Sequence, residues 1–535
     1  MQGMGAKACI FRTGYNSSIA PTNMICFGCL EDFWNSGGAH QMLKLHKIYF
    51  LTILIMGMIF TAVLPPLSAP DEVLHFVGAY ELSNKLMLKP VRDTNGNVII
   101  RKEDEYIVNW PGDNDWNKAT VIGQTLDASV YKEIHDYGFF GVREEGERIT
   151  LQQPVATTPL AYLMPALGIT LARLVNLSAF GLLFLGRFMN LLLFSVLGAL
   201  SVKRTPVGKK VFFAVSLFPM TLEIAGSYSY DSYIMALSFY LTAVILDHAV
   251  GSENRMITIR DIVEMGILAV LLSPCRMIYS TLFALCLMIP MKKWKKPSFV
   301  RWGMTVLLIG ALIIGSIVLV NLREVLRYIN ASGVTQAPEL TSSGEVNTVK
   351  LHDLSELIQD KTLVFRIIRN TFQILGTQYL GTTVGMWLGA FDRGLVTPVP
   401  FLFVFWIGAI LTGAYDHDEP VPEIWKRFIM AGTVVFLTFI LLTSMLLSYT
   451  PADTFYILGV QGRYFLPYLP VLLLCFRAKW IRSLAEKFNT TLKIKSGTAT
   501  NAIVSVPDLF LLLEILMDGI VLVGCYLTVV SRMIY

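Results

Sequence analysis

Long apolar runs alternate with short polar segments over most of the chain. A helix rises 1.5 Å per residue and a hydrocarbon core is about 30 Å thick, so a crossing helix needs about 17 to 25 such residues. Clean runs cover 48–66, 180–200, 302–321, 397–415, 428–448 and 506–530; shorter or less uniform ones cover 211–226, 231–250, 259–273, 277–291 and 464–477. The pattern predicts an all-α fold, a polytopic transmembrane helical bundle of about 11 spans. Two polar stretches, 67–154 and 322–396, mix acids, aromatics and turn residues, as in WPGDNDW (Trp110 to Trp116) and ASGVTQAPELTSSGE (Ala331 to Glu345). Insertions of this length on one face of a bundle usually carry function.

The segment 155–175 decides the orientation of everything after it, being apolar enough to span but interrupted by Pro159 and Pro165 and closed by Arg173. With the N-terminus inside and this segment not crossing, the short inside loops 201–210, 251–260, 291–301, 416–427 and 477–505 carry 19 Lys and Arg, and the short outside loops hold only Arg276 and Arg463. A crossing segment would exchange those totals, against the excess of positive charge that cytoplasmic loops carry. The expectation is therefore a juxtamembrane or re-entrant helix on the outer face. The chain then divides into an inside tail (1–47), a first span (48–66), a large outer loop with juxtamembrane helices (67–179), a central bundle (180–321), a second large outer loop (322–396) and a C-terminal bundle (397–535) that ends outside. The expected location is the cytoplasmic membrane, crossed many times.

Composition agrees. The chain is 54% hydrophobic and only 16% charged, with a mean hydropathy of +0.56, which excludes an ordinary soluble protein. The net charge of +5 comes from basic clusters between apolar runs, so no nucleic-acid partner is expected. None of the seven cysteines lies in the two long polar loops, and disulfides are not expected to organise the fold. Met42 heads an ordinary start, so the first 41 residues read as a mis-called extension. Residues 48–69 exceed a typical signal-peptide core and read as a retained anchor. Cys26, Cys29, His40 and His46 follow a zinc-finger order only superficially, because the Cys-to-His interval is short and His46 abuts the membrane.

The sharpest chemistry stands just after the first span, in PPLSAPDEVLHF (Pro65 to Phe76). Pro70 suits a first helical turn, so Asp71, Glu72 and His75 are expected on a short helix at the outer surface. Ser68 with Asp71 resembles a capping box, and acids favour helix N-termini, which accounts for Asp71 alone. A partly desolvated carboxylate at this boundary also has the character of a general base. Asp71 and Glu72, with substrate oxygens, form an alternative seat for a divalent cation. Near the end, VQGRYFLPYLP places Gln461, Gly462 and Arg463 at the outer mouth of a span. Arg463 reads either as a snorkelling side chain or as a guanidinium for an anionic headgroup, and Arg276 in SPCRMIY is the second such cation. Asp231 in SYSYDSY and Asp392 in MWLGAFDR fall on the same face, as helix caps or as further site acids.

APDEVLHF, TTPLAYLMPALG (Thr157 to Gly168), LGRFMNLLLF (Leu185 to Phe194), SYSYDSY and QGRYFLPYLP, in that order, resemble the bacterial multi-spanning membrane proteins grouped as domain of unknown function 2142, from about residue 45 onward. Arg276 stands where that family is expected to have Lys. The family is similar in layout to the C-type glycosyltransferases, whose sugar donors are linked to polyprenyl phosphate. The resemblance implies a GT-C-like transferase on the outer face, with a polyprenyl-phosphate-linked sugar as donor and a glycan or glycolipid as acceptor. It implies Asp71 as base, Glu72 or His75 orienting the acceptor or helping to hold a metal, and Arg463 with Arg276 stabilising the leaving phosphate.

Two other classes compete. A lipid-linked glycan flippase would show intramembrane polar residues or broken helices at the midplane, whereas the acids read here lie at the surface. A polysaccharide polymerase or ligase shares the donor and the large outer loops, and the sequence does not separate it from the transferase.

Overall fold

The computed structural model describes residues 44–108, 128–150, 152–155, 157–320, 336–340, 346–352, 357, 359–389, 395–414, 419–481, 483 and 506–531. The expected site residue Asp392 and the paired cysteines of the N-terminal tail lie outside them.

The chain is a helical membrane bundle, and the described helices run as follows. Helix α1 (Leu45–Val63) leads into α2 (Glu72–Leu86), then β1 (Val98–Arg101), α3 (Lys102–Val108), α4 (Ser129–Tyr137) and β2 (Glu147–Thr150), which pairs antiparallel with β1. A 3-10 turn (Pro159–Tyr162) opens α5 (Leu163–Leu174), and α6 (Ala179–Arg204), α7 (Lys209–Ser216), α8 (Pro219–Ala225), α9 (Tyr230–Val250) and α10 (Ile259–Leu272) follow. A 12-residue 3-10 helix (Met277–Met288) precedes α11 (Ser298–Val320). The short pairs β3 (Gln336–Leu340) with β4 (Val346–Lys350) and β5 (Trp387–Leu388) with β6 (Leu395–Val396) flank α12 (Lys361–Val384). Then come α13 (Val399–Ala414), α14 (Ile424–Ser448), a 3-10 turn (Gly462–Tyr468), α15 (Leu469–Cys475) and α16 (Val506–Ser531).

Among the described residues, six helices are long and apolar enough to cross a membrane: α1, α6, α9, α11, α14 and α16. Four shorter apolar segments accompany them, Pro159–Leu174, Met277–Met288, Val399–Ala414 and Gly462–Cys475. Of the remaining expected spans, 259–273 and 397–415 form plain but shorter α-helices, α10 and α13, and the others depart from simple α-helices for local reasons. The run 211–226 is broken between α7 and α8 because Pro219, with no N–H to donate, starts a new helix. The run 277–291 is wound as a 3-10 helix, which apolar periodicity does not reveal.

Residues 159–174 lie alongside α2. At one end the Tyr162 hydroxyl is 2.8 Å from His75 Nδ1, and at the other Arg173 donates to Asn84 Oδ1 at 2.8 Å. The segment therefore runs with α2 on the Asp71 side of the bundle. Its hold on α6 is backbone to backbone, since a Cβ on Gly168 would lie 2.7 Å from the Cα of Gly186. Both glycines belong to motifs whose value is this close approach.

Candidate functional site

The stretch after α1 folds as consecutive tight turns, with Ser68 N–H donating to Pro65 O and Glu72 N–H to Ala69 O. Two non-glycine residues in it, Leu67 (φ 60°) and Asp71 (φ 59°), take the left-handed conformation. Asp tolerates that region better than most residues, at a cost of about 1 kcal/mol. The Ser68–Asp71 capping box is not formed. Asp71 stands at the N-cap position without a side-chain capping bond, and Glu72 Oε2 accepts from the Ala69 N–H instead, at 3.2 Å.

Freed from capping, the Asp71 carboxylate meets Arg463, whose Nη2 lies 3.2 Å from Oδ2. The same guanidinium donates through Nε to Asp231 Oδ2 at 2.9 Å, and Asp231 Oδ1 lies 3.4 Å from Arg276 Nη1. Four charges from remote parts of the chain thus form one alternating row, Asp71–Arg463–Asp231–Arg276. Both guanidiniums lie by the Tyr464 ring, that of Arg276 at 4.0 Å and that of Arg463 at 5.3 Å. Exposure along the row is uneven. The Asp71 side chain is 54% exposed, while those of Arg463 and Asp231 are 3% and 6%. Arg463 Nη1 is buried without a hydrogen-bond partner among the described residues.

Local chemistry places each member. Gly462 is pinned between Thr382, whose Oγ1 accepts its N–H, and Thr383, whose Oγ1 donates to its carbonyl, while Tyr279 Oη donates to Tyr464 O. Arg463 is fixed between these anchors. Ser229, not Asp231, caps α9, so the Asp231 carboxylate is free to face the two arginines. Gln461, the residue before that 3-10 turn, leaves its buried Oε1 without a partner among the described residues.

Glu72 points elsewhere. Its carboxylate is 3.3 Å from Arg187 Nε and accepts from the Tyr228 N–H at 3.0 Å. Arg187 in turn donates to Gly226 O (2.7 Å) and Thr61 O (3.2 Å), and Asn190 donates to Ser227 O and Ser229 O. Glu72, Arg187 and Asn190 together hold the 226–229 turn that delivers Asp231. Burial raises the Glu72 pKa, while Arg187 and the N–H groups of Tyr228 and Ala69 pull against it. His75 is also buried, packed edge-on against Tyr230 at 4.7 Å. Burial, and then the positive charges of Arg463 and Arg276, push its pKa down to about 3, so its ring is neutral.

Sequence reasoning gave no role to Arg187, Asn190, Tyr162 or Tyr464. The signal available for the first two was an Arg and an Asn inside an otherwise apolar run. Asp71 and Glu72 do not form a joint cation seat. Glu72 is committed to Arg187 and two backbone donors, and Asp71 faces a guanidinium that repels a divalent ion.

A comparison with protein-family models matches residues 54–472 to DUF2142, described as "Predicted membrane protein". The chain belongs to this family. The matched stretch includes every member of the charged row and of the Glu72 scaffold, and ends before α16. No curated protein matches. Among solved structures, the chain is similar to the archaeal oligosaccharyltransferase AglB from Archaeoglobus fulgidus, a structure that holds an inhibitory peptide and a dolichol-phosphate. The identity is 10% and the TM-score 0.34, over 91% of this chain and 56% of that one. The chain thus spans little more than half of that neighbour's length.

Proposed function

We propose that this family member is a membrane glycosyltransferase. It transfers a sugar from a polyprenyl-phosphate donor to a cell-envelope glycan or glycolipid acceptor on the outer face of the cytoplasmic membrane, with the N-terminus inside and the C-terminus outside. The observation that carries the reading is Arg463. Asp231 holds it through Nε, the exposed Asp71 meets Nη2, and Nη1 has no hydrogen-bond partner among the described residues. A guanidinium so mounted suits bidentate recognition of a phosphate.

In the proposed reaction the donor phosphate takes the place of the Asp71 carboxylate on Nη2 and engages Nη1, with Arg276 adding positive charge behind Asp231. Asp71, released, accepts the proton of the acceptor hydroxyl as its oxygen bonds to the anomeric carbon. The bond from that carbon to the phosphate oxygen breaks with inversion, and polyprenyl phosphate leaves with its charge facing Arg463. In this reading Glu72 acts through the 226–229 turn, and His75, neutral against Tyr162 and Tyr230, shapes the wall beside the arginines.

The test uses membranes containing the full chain and a radiolabelled polyprenyl-phosphate sugar, scored for label in the glycan fraction. Asp71→Asn is expected to abolish transfer while expression and insertion stay unchanged. Full transfer by that variant would remove Asp71 as base, and labelling of a cysteine at the exposed position 147, in the same outer loop, only from the cytoplasmic side would overturn the orientation.

A further inference from the structure

Helix α16 is apolar enough to cross a membrane, yet it carries Glu514 and Asp518 one turn apart on one face. Both side chains have zero exposure, and all four carboxyl oxygens lack a hydrogen-bond partner among the described residues. This sets them apart. Each other buried acid among the described residues has a donor: Glu72, Glu103, Asp104, Glu223, Asp231, Asp261 and Glu419 meet a guanidinium, a backbone N–H or a hydroxyl. The surroundings of the pair are built for closeness rather than for pairing. A Cβ on Gly408 of α13 would lie 2.3 Å from Glu514 Oε1, so the carboxyl rests against bare helix backbone.

The described helices packed most extensively on α16 are α13, α7 and α1. Helix α13 carries no ionisable side chain, α7 carries Lys209 and Lys210, and α1 carries His46, Lys47 and Tyr49. Lys210 is bound to Asp508 and Tyr49 to Ser216. Further along α16, the Tyr526 ring lies 5.9 Å from that of Tyr131 on α4. None of these groups reaches the pair.

A lone ionised carboxylate in such a place is strongly disfavoured, and two on adjacent turns repel each other as well. The pair therefore carries bound positive charge. Sodium sites inside membranes draw on carbonyls of unwound helices, and α16 is continuous through Val506–Ser531 with its carbonyls in its own ladder. A proton needs only the carboxyl. We propose that Glu514 and Asp518 form an intramembrane proton-binding pair, a site outside the glycosyl-transfer machinery. It places acids at membrane depth, where the sequence placed them only at the surface, and such acids mark proton relays and coupled transport.

Dicyclohexylcarbodiimide, which adds to protonated carboxyls in apolar surroundings, tests this on the full chain in native membranes, with the site read by peptide mass. The peptide spanning Glu514 and Asp518 is expected to be labelled far more than one containing the exposed Glu147, and labelling should fall as pH rises. In Glu514→Gln, labelling of Asp518 should fall at lower pH than in the parent, because the neighbouring charge is gone. Exchanging potassium for sodium should change nothing. Infrared difference spectra of the unmodified chain supply a variant-free reading, the loss of a protonated-carboxyl stretch on alkalinisation. Labelling no greater than at Glu147, labelling and spectra that ignore pH, or protection by sodium would each overturn the assignment. None of these readouts depends on sugar transfer, so their failure leaves the transferase reading to its own test.

Discussion

Arg187→Met separates scaffold from chemistry. Arg187 is 1% exposed and has three partners: the Glu72 carboxylate at 3.3 Å, Gly226 O at 2.7 Å and Thr61 O at 3.2 Å. Methionine nearly fills the volume, so the loss is mainly electrostatic. Glu72 keeps its two backbone donors but loses its counter-ion, and removing one partner of a buried pair costs about 3–5 kcal/mol. Replacing both partners is far less costly than the two single losses added together, because no charge is then stranded. Glu72→Gln in the Arg187→Met background should therefore recover about 2 kcal/mol or more. The assay is reversible denaturation in mixed micelles for parent, single and double variants, with sugar transfer measured in parallel. Additive losses in the double variant, or an Arg187→Met protein as stable as its parent, would refute the scaffold role. A Glu72→Gln protein with full stability and no transfer would assign Glu72 to the chemistry instead.

Three further outcomes follow from the same geometry. Gly186→Ala would bring a Cβ within 2.1 Å of the Tyr228 hydroxyl, so it should destabilise by about 1–3 kcal/mol, and Tyr228→Phe in the same chain should relieve part of that loss; equal stability of Gly186→Ala and parent refutes it. The depressed His75 pKa means that the unfolded chain binds a proton below about pH 6.5 that the folded site refuses until about pH 3. Stability should thus fall on acidification by about 1.4 kcal/mol per pH unit more steeply than in His75→Gln, and parallel denaturation curves between pH 6 and 4 would contradict this. Arg463→Lys keeps the charge but not the fork, so it should fold normally while donor binding weakens at least tenfold, seen as a raised KM for the lipid-linked sugar.

Much of the charged row was legible because isolated charges at the ends of apolar runs are rare enough to read one by one. Asp71, Asp231, Arg276 and Arg463 all have that character, although their contact spans up to 392 positions of sequence separation. The division of labour between Asp71 and Glu72 was not legible. Asp71 is a left-handed N-cap and Glu72 the first helical residue, so the two adjacent carboxylates address different neighbours, and only the fold shows that one meets Arg463 and the other Arg187. Arg187 and Asn190 were read as parts of a motif rather than as groups with work to do. Apolar length located the long helices, but nothing in composition distinguishes 3-10 from α winding in 277–288. Glu514 and Asp518 passed unnoticed because two acids scarcely dent the hydropathy of a 26-residue helix.

That winding has its own consequence. Arg276 and Arg463 stand at the starts of the two 3-10 stretches, Met277–Met288 and Gly462–Tyr468. At about 2.0 Å per residue the first is a rod of about 24 Å, and the same residues as an α-helix would measure about 18 Å. Relaxing its pitch would shift Arg276 along the axis of the stretch by up to about 6 Å, enough to part it from Asp231. The two cations are thus mounted on elements whose length, and not only whose position, sets whether they meet Asp231.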